Sequence, residues 1–503
     1  MNYRVVFQTL GKVAIALAVM LVVPTILAAC LAEQSWWALL VTVGISLAIG
    51  LTLTFAIKPK NNVIFTKDGL IIVSLAWIYV SAIGALPFVI SRAIPSYIDA
   101  FFEMCSGFST TGATILQGHQ IEAMDKGLLF WRSFTHWIGG MGVIVFLMAF
   151  ETGSSDRGMH VLRAEMPGPI VDKIVPRARD TAKILYLLYI GFTVVEMIAL
   201  IIAGMPIFDA VVHSFGTAGT GGFGIKADSI ASYNAACQWI ITIFMILFGI
   251  NFNLYYLAIL RKFRQVFGSR ELWIFGGIIV FATTAISIDL ALANLTFAQT
   301  AGDTVRHAMF QVASFLSTTG YSSIPASYAD GINVFPLLSK GLLFMLMFIG
   351  GCAGSTGGGL KVSRVAILFC AARKELRRVT HPRNANAVKF EGKIISDETL
   401  HGVINYFAIY MLILAGTFVV LCFDKGAAIY AQNVGSNVSL IETNITAAVS
   451  CINNIGPAYG VASGGYYMYS WFSKIVMSFA MLLGRLEIYP ILIALTPTTW
   501  IKR

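Results

Sequence analysis

The sequence predicts an all-α polytopic membrane protein. Three observations predict it: an apolar composition, about ten runs long enough to cross a bilayer, and a short glycine-ended motif that recurs four times. Of the 503 residues, 57% are hydrophobic and only 12% charged, with a mean hydropathy of +0.77. Soluble domains carry roughly 25% charged residues, and a soluble fold of this length has no interior large enough to hide so much apolar surface. Runs of about 20 apolar residues match the hydrocarbon thickness of a bilayer. They fall near 13–31, 37–57, 70–90, 127–150, 183–203, 236–260, 272–295, 335–372, 400–423 and 471–495, with the run at 335–372 interrupted. Four shorter stretches, 96–106, 206–216, 304–314 and 441–450, are too brief to cross and are predicted to be re-entrant helices.

Each short stretch leads into one motif. The first is followed by Ser109, Thr110, Thr111 and Gly112, the second by Gly219, Thr220, Gly221 and Gly222. Ser317, Thr318, Thr319 and Gly320 follow the third; Asn453, Asn454, Ile455 and Gly456 follow the fourth. Aligned on the last glycine, a small residue stands six positions upstream in every copy (Ser106, Gly216, Ser314, Ser450). A polar one stands thirteen upstream (Asp99, Asp209, His307, Thr443). Four unequal copies of helix, short helix, glycine loop and helix on one chain predict a pore with fourfold pseudo-symmetry. The segmentation that follows is an extra N-terminal transmembrane pair at 1–60 and pore repeats at 61–156, 157–262, 263–393 and 394–503.

Such loops suit a bare monovalent cation. An ion in a narrow pore must exchange hydration water for ligands of similar strength, and rings of backbone carbonyls supply them. Glycine permits the turns this needs, because it tolerates positive φ. The candidate ion-binding set is therefore Thr110, Thr111 and Gly112; Thr220, Gly221 and Gly222; Thr318, Thr319 and Gly320; Asn454, Ile455 and Gly456. Threonine hydroxyls either add oxygens or tie the loops to their surroundings. Without a ring of carboxylates, the site favours a large monovalent ion over calcium or magnesium. The C-terminal ends of the short helices would aim partial negative charge at the centre.

A second glycine-rich stretch interrupts the run that begins near residue 335. Gly350, Gly351, Gly354, Gly357, Gly358 and Gly359 fall within ten residues, with Ser355 and Thr356 among them and Lys361 just beyond. Each glycine costs a helix about 1 kcal/mol relative to alanine, so helix cannot persist. The stretch lacks the spacing and the strand-to-helix context of a nucleotide phosphate loop. It reads either as a mobile loop that plugs or opens a pore, or as a rigid break. Arg485 is a charge within an apolar run, a functional candidate by default. It sets a positive barrier in the permeation path, or holds the glycine loop through its carbonyls, or pairs with Glu487. His136 reads as a packing histidine, while Asp99, Asp209 and Glu103 read as acids that begin or flank the short helices. The seven cysteines form no CxxC pair and read as small hydrophobes; no nucleophile stands beside a base, so no enzyme is expected.

Charge placement predicts the orientation. With both termini in the cytoplasm, 26 of the 35 Lys and Arg residues fall on the inner side, as the positive-inside rule requires. The net charge of +10 is thus spent on topology, and no nucleic-acid partner is expected. The apolar run before Cys30 is read as a span of the fold, not as a leader.

These residues together resemble the membrane subunits of the Trk/Ktr/HKT superfamily of potassium transporters, most closely the bacterial TrkH group. The anchors are Ser317 to Tyr321, Trp137 to Gly142, Cys352 to Gly359, Asn453 to Pro457, and Gly484 to Glu487. The resemblance implies one pore per subunit, a homodimer in the bacterial inner membrane, and K+ as the transported ion with no organic cofactor in this chain. It also implies that 350–359 is an intramembrane gating loop, that Arg485 is the pore arginine, and that a cytosolic TrkA-type nucleotide-binding ring regulates the gate. Gly112 fits the potassium-selective pattern, whereas Asn454 and Ile455 depart from the hydroxyl-rich form. The alternative is the potassium-translocating subunit of a Kdp-type ATP-driven pump.

Overall fold

The computed structural model describes residues 2–57, 66–142, 178–295, 297–325, 331–381, 388–434 and 438–500. Among them the regular structure is helical apart from one antiparallel ladder pairing Lys389–Phe390 with Lys393–Ile394. Among the described residues six helices are long and apolar enough to cross a bilayer in one piece: Tyr3–Cys30, Trp36–Ala56, Lys67–Ile90, Ala182–Ile202, Arg270–Ala293 and Asp397–Phe423. Their outer faces carry bare apolar side chains such as Leu187, Phe281 and Leu412, at 70%, 68% and 72% exposure. Lipid, not water, is the solvent such surfaces fit.

The other four predicted crossings are not continuous helices, which corrects the sequence expectation of a break in the third repeat alone. After each glycine loop the chain forms a helix of only 16, 14, 13 or 15 residues: Lys126–Met141, Ala235–Phe248, Leu337–Ile349 and Trp471–Arg485. At 1.5 Å per residue these reach roughly 20–24 Å, short of a hydrocarbon layer of about 30 Å. The first ends at Gly142, whose φ is 90°, and the remainder of that run, 143–150, lies outside the described residues. The second ends at Gly249 and turns by 91° into Phe252–Ile259, with Asn251 capping the new helix. The third gives way to the glycine-rich loop and resumes as Val362–Thr380. The fourth is followed by Glu487 and Ile488, both at positive φ, before Tyr489–Leu495. Hydropathy missed three of these breaks; at the second and fourth, Ile250, Leu486 and Ile488 keep the runs largely apolar.

The four short helices are Tyr97–Phe108, Ile207–Gly219, Ala301–Leu316 and Leu440–Asn453. Ser96, Thr300 and Ser439 cap three of them by accepting from a backbone N–H in the first turn, and Pro206 opens the other, all favoured starts. The third begins earlier than expected, so His307 lies in its second turn and Asp303 supplies the first-turn acid. Helices Tyr3–Cys30 and Trp36–Ala56 approach closely through glycines: a Cβ on Gly50 would stand 2.7 Å from Ile15, and Ser46 donates to the Ala14 carbonyl at 2.9 Å. Small residues of this kind let membrane helices pack. Glu33 then caps the helix Lys126–Met141 by accepting from Lys126 N and Gly127 N, each at 2.8 Å. Lys58, Lys60 and the basic residues between 157 and 177, part of the orientation argument, lie outside the described residues.

Candidate functional site

The four glycine loops share one backbone. Thr110, Thr220, Thr318 and Asn454 take φ of 57°, 53°, 60° and 56°, and the glycines two positions later take 80°, 75°, 82° and 103°. Between them, the N–H groups of Thr111, Gly221, Thr319 and Ile455 donate back to the carbonyls of Ser106, Gly216, Ser314 and Ser450 at 2.8–3.0 Å. The small residue six positions upstream is therefore the acceptor that closes each turn. That gives the aligned sequence position a physical role.

The loops also meet each other. A Cβ on Gly112 would run into the Gly221 carbonyl, one on Gly222 into that of Thr319, and one on Gly320 into that of Ile455. One on Gly456 would stand 2.6 Å from the Thr111 carbonyl. First touches second, second third, third fourth, and fourth first: the circuit closes. Positive φ and this close approach together leave room for glycine only. All four glycines line one cavity of about 350 Å³.

The predicted side chains serve mostly as ties. Ser109 and Thr111 hydroxyls pair at 2.7 Å, as do those of Ser317 and Thr319; the Thr220 hydroxyl donates to the Gly219 carbonyl at 2.7 Å. In the fourth loop, Asn454 Nδ2 donates to Thr111 Oγ1 at 2.9 Å and to the Met481 carbonyl at 2.8 Å. Asn454 thus braces the first loop from the fourth. The glycine at 221, where two other loops have threonine, also has a structural reason. The His136 ring occupies the space a side chain there would need, held by Nδ1 to the Gly107 carbonyl at 2.7 Å and packed 4.2 Å from the Phe223 ring. His136 packs, as expected.

The second glycine-rich stretch lies directly against the loops. Gly358 N donates to Thr318 Oγ1 at 2.6 Å; a Cβ on Gly357 would lie 2.8 Å from the Ser317 carbonyl, and one on Gly358 2.5 Å from that of Asn453. Cys352 N donates to the Gly249 carbonyl at 2.9 Å, so the stretch spans from the break at 249 to the backs of the third and fourth loops. Gly350, Gly354 and Gly359 take positive φ. Gly351 packs against the Ser355 hydroxyl and Gly249, and Ser355 donates to Cys352 at 2.6 Å. Lys361 Nζ donates to the Gly357 carbonyl.

Arg485 pins this stretch. Nη1 donates to the Thr356 carbonyl at 2.7 Å, while Nη2 donates to the carbonyls of Gly139 and Gly140. One guanidinium therefore joins the stretch to the end of Lys126–Met141. The alternative of an Arg485–Glu487 pair is corrected: Glu487 pairs with Arg364 at 2.5 Å, and Arg364 lies 4.1 Å over the Tyr406 ring.

The acids expected at the short-helix starts are engaged. Asp99 pairs with Lys474 at 2.7 Å, and Asp209 accepts from the Tyr233 hydroxyl at 2.8 Å. Glu103 does not begin its helix; it is buried with Arg132 at 2.6 Å and accepts from Ile115 N at 2.9 Å. Sequence reasoning missed Arg132 and gave Lys361 no role, although a charge within an apolar stretch is the signal that flags both. Among the described residues no group of His, Cys, Asp and Glu is arranged to hold a metal.

The profile of a family described as a cation transport protein, TrkH, matches residues 38–499. The chain is 34% identical to the Trk system potassium uptake protein TrkH of Salmonella typhimurium over 504 residues, covering 99% of this chain and 100% of that one. It is 32% identical to the TrkH of Halomonas elongata, with 100% of both chains covered. The crystal structure of the potassium transporter TrkH from Vibrio parahaemolyticus superposes with a TM-score of 0.85 at 29% identity over all of both chains. With residues 38–499 matched by the family profile and relatives matched across the length at 32–34% identity, the chain belongs to the TrkH family of cation transport proteins.

Proposed function

We propose that this protein is a potassium-selective, channel-like uptake transporter. In this reading K+ sheds water against the backbone carbonyls of the four loops, at Thr110, Thr111, Gly112, Thr220, Gly221, Gly222, Thr318, Thr319, Gly320, Asn454, Ile455 and Gly456. The single observation that carries it is the closed circuit of glycines and carbonyls around one cavity. Carbonyl dipoles without a ring of carboxylates replace the hydration of a large monovalent ion. The names of the relatives agree on the ion.

The stretch from Gly350 to Gly359 is the gate in this reading, and Arg485 holds it shut against Gly139 and Gly140. The chain is then a spanning pair at 1–60 and four repeats at 61–156, 157–262, 263–393 and 394–503. It sits in a bacterial inner membrane with both termini in the cytoplasm, as a homodimer under a TrkA-type nucleotide-binding ring. The relatives above are Trk system proteins, which disfavours the Kdp-type alternative.

Flux into proteoliposomes tests the reading. The purified protein should pass K+ well above Na+ without ATP, and Gly320→Ser should lower that ratio by about tenfold, because the new side chain meets the Ile455 carbonyl. Equal K+ and Na+ flux in the parent, or a dependence on ATP, would overturn it.

A further inference from the structure

We propose that Glu271 is the staple that keeps the intramembrane loop seated, and that the cytoplasmic hairpin carrying Glu391 is the handle that releases it. The proposal rests on the gate reading above and adds to it two positioning residues outside the pore.

Glu271 is the second residue of the helix Arg270–Ala293 and is 6% exposed. Its Oε1 accepts from Ala353 N at 2.8 Å and from Ser363 N at 3.1 Å. Ala353 and Ser363 stand on either side of the Ser355–Lys361 segment, so one carboxylate oxygen holds both flanks of the part that touches the pore loops. An ordinary acid in the first turn of a helix serves its own helix end or faces water. This one is buried and turned towards another segment. Hydrogen bonds to an ionised acceptor are about twice as strong as neutral ones, which suits a staple.

The staple is itself held from the cytoplasmic side. Glu391 Oε1 accepts from Glu271 N at 2.8 Å and from the Ser269 hydroxyl at 3.1 Å. Glu391 and Gly392, with φ of 50° and 73°, form the two-residue turn joining Lys389–Phe390 to Lys393–Ile394. Two positive φ values in such a turn mark the tight hairpins whose twist matches the strands. Val388, Phe390 and Ile395 of the hairpin are buried with Ile367 of the helix Val362–Thr380, which continues directly from the loop. The hairpin therefore touches both the helix that leaves the gate and the helix start that staples it. A pull on the hairpin withdraws Glu391, frees the end of Arg270–Ala293, and loosens Glu271 from both flanks at once.

The test is open probability and K+ flux of the full-length protein in proteoliposomes, with melting temperature measured alongside. Glu271→Ala should raise open probability by about tenfold, within the range of a single coupling, with unit conductance and the K+/Na+ ratio unchanged. Glu271→Gln, which keeps an acceptor oxygen, should stay closer to the parent. Glu391→Ala should shift open probability the same way by less, and the double alanine variant should not exceed Glu271→Ala alone. Parental open probability in Glu271→Ala, whatever its melting temperature, would overturn the staple; additive effects in the double variant would overturn the handle. Alanines at Gly357, Gly358 and Gly359 separate the two levels. If they alter gating while Glu271→Ala does not, only the staple falls. If they leave gating parental, the gate reading falls with it.

Discussion

At the scale of single residues, the informative contacts join positions far apart in the chain. Gly221 breaks the hydroxyl pattern of the motif, and nothing near it in sequence says why. The reason is His136, whose ring fills the place of the missing side chain. Gly221→Ala should therefore overpack the second loop and destabilise by about 1–3 kcal/mol, with K+ flux reduced. His136→Ala combined with Gly221→Ala should recover part of both losses, because the space is then free. Melting temperature and flux of the single and double variants check this, and an additive double variant would refute the direct clash. Glycine and threonine at fixed spacing were legible in the sequence. The partner that makes one glycine obligatory was not, since it depends on a tertiary approach across 85 positions.

At the scale of elements, the four short helices were legible and the four broken ones mostly were not. Polar caps at Ser96, Thr300 and Ser439, a proline at 206 and the glycines of the loops mark the short helices locally. The second and fourth breaks, by contrast, occur within runs that stay largely apolar, because the chain there is buried or half-buried in protein. Irregular backbone at membrane depth is tolerable only under that condition. The polar signal at the second break is Asn251, with Asn253 two positions on. Asn251 Oδ1 accepts from Asn253 N at 2.9 Å, and a Cβ on Gly354 would stand 2.9 Å from the same oxygen. Phe252 N also donates to the Gly354 carbonyl at 3.1 Å, so the cap and the glycine-rich stretch share one corner. Asn251→Ala should cost about 0.5–2 kcal/mol as a lost cap and raise open probability, whereas Asn251→Asp should preserve the melting temperature. A gating change shared equally by both variants would point to the amide, not to the cap.

At the scale of the molecule, the four loops form a ring of four seams, and each seam has its own polar tie beside the glycine contact. Arg132 crosses the first by donating to the Gly224 carbonyl at 2.9 Å. Tyr321 crosses the second, its hydroxyl reaching the His213 carbonyl at 3.2 Å. Asn333 and Gly460 exchange two hydrogen bonds across the third, at 3.0 and 2.8 Å. Tyr466 N closes the fourth on the Thr114 carbonyl at 2.7 Å. The quasi-fourfold repeat predicted the ring, but these ties follow no repeat. Each seam solves its own packing problem with different residues, so alignment of the copies cannot reveal them. The tie across the first seam includes a buried ion pair. Arg132 and Glu103 are 1% and 0% exposed, and the guanidinium lies 3.5 Å from the Phe223 ring centroid. Removing one partner of such a pair leaves the other charge uncompensated and costs about 3–5 kcal/mol, whereas replacing both with apolar residues of similar volume is often close to neutral. Glu103→Leu should therefore lower the melting temperature sharply, and Glu103→Leu with Arg132→Met should recover most of it. Flux should separate from stability in that pair of variants. The double variant stands folded yet lacks the tie from Arg132 to Gly224, so the second loop loses a brace and K+ over Na+ selectivity should fall. A double variant with parental stability and parental selectivity would show that the glycine contacts alone hold the ring in register.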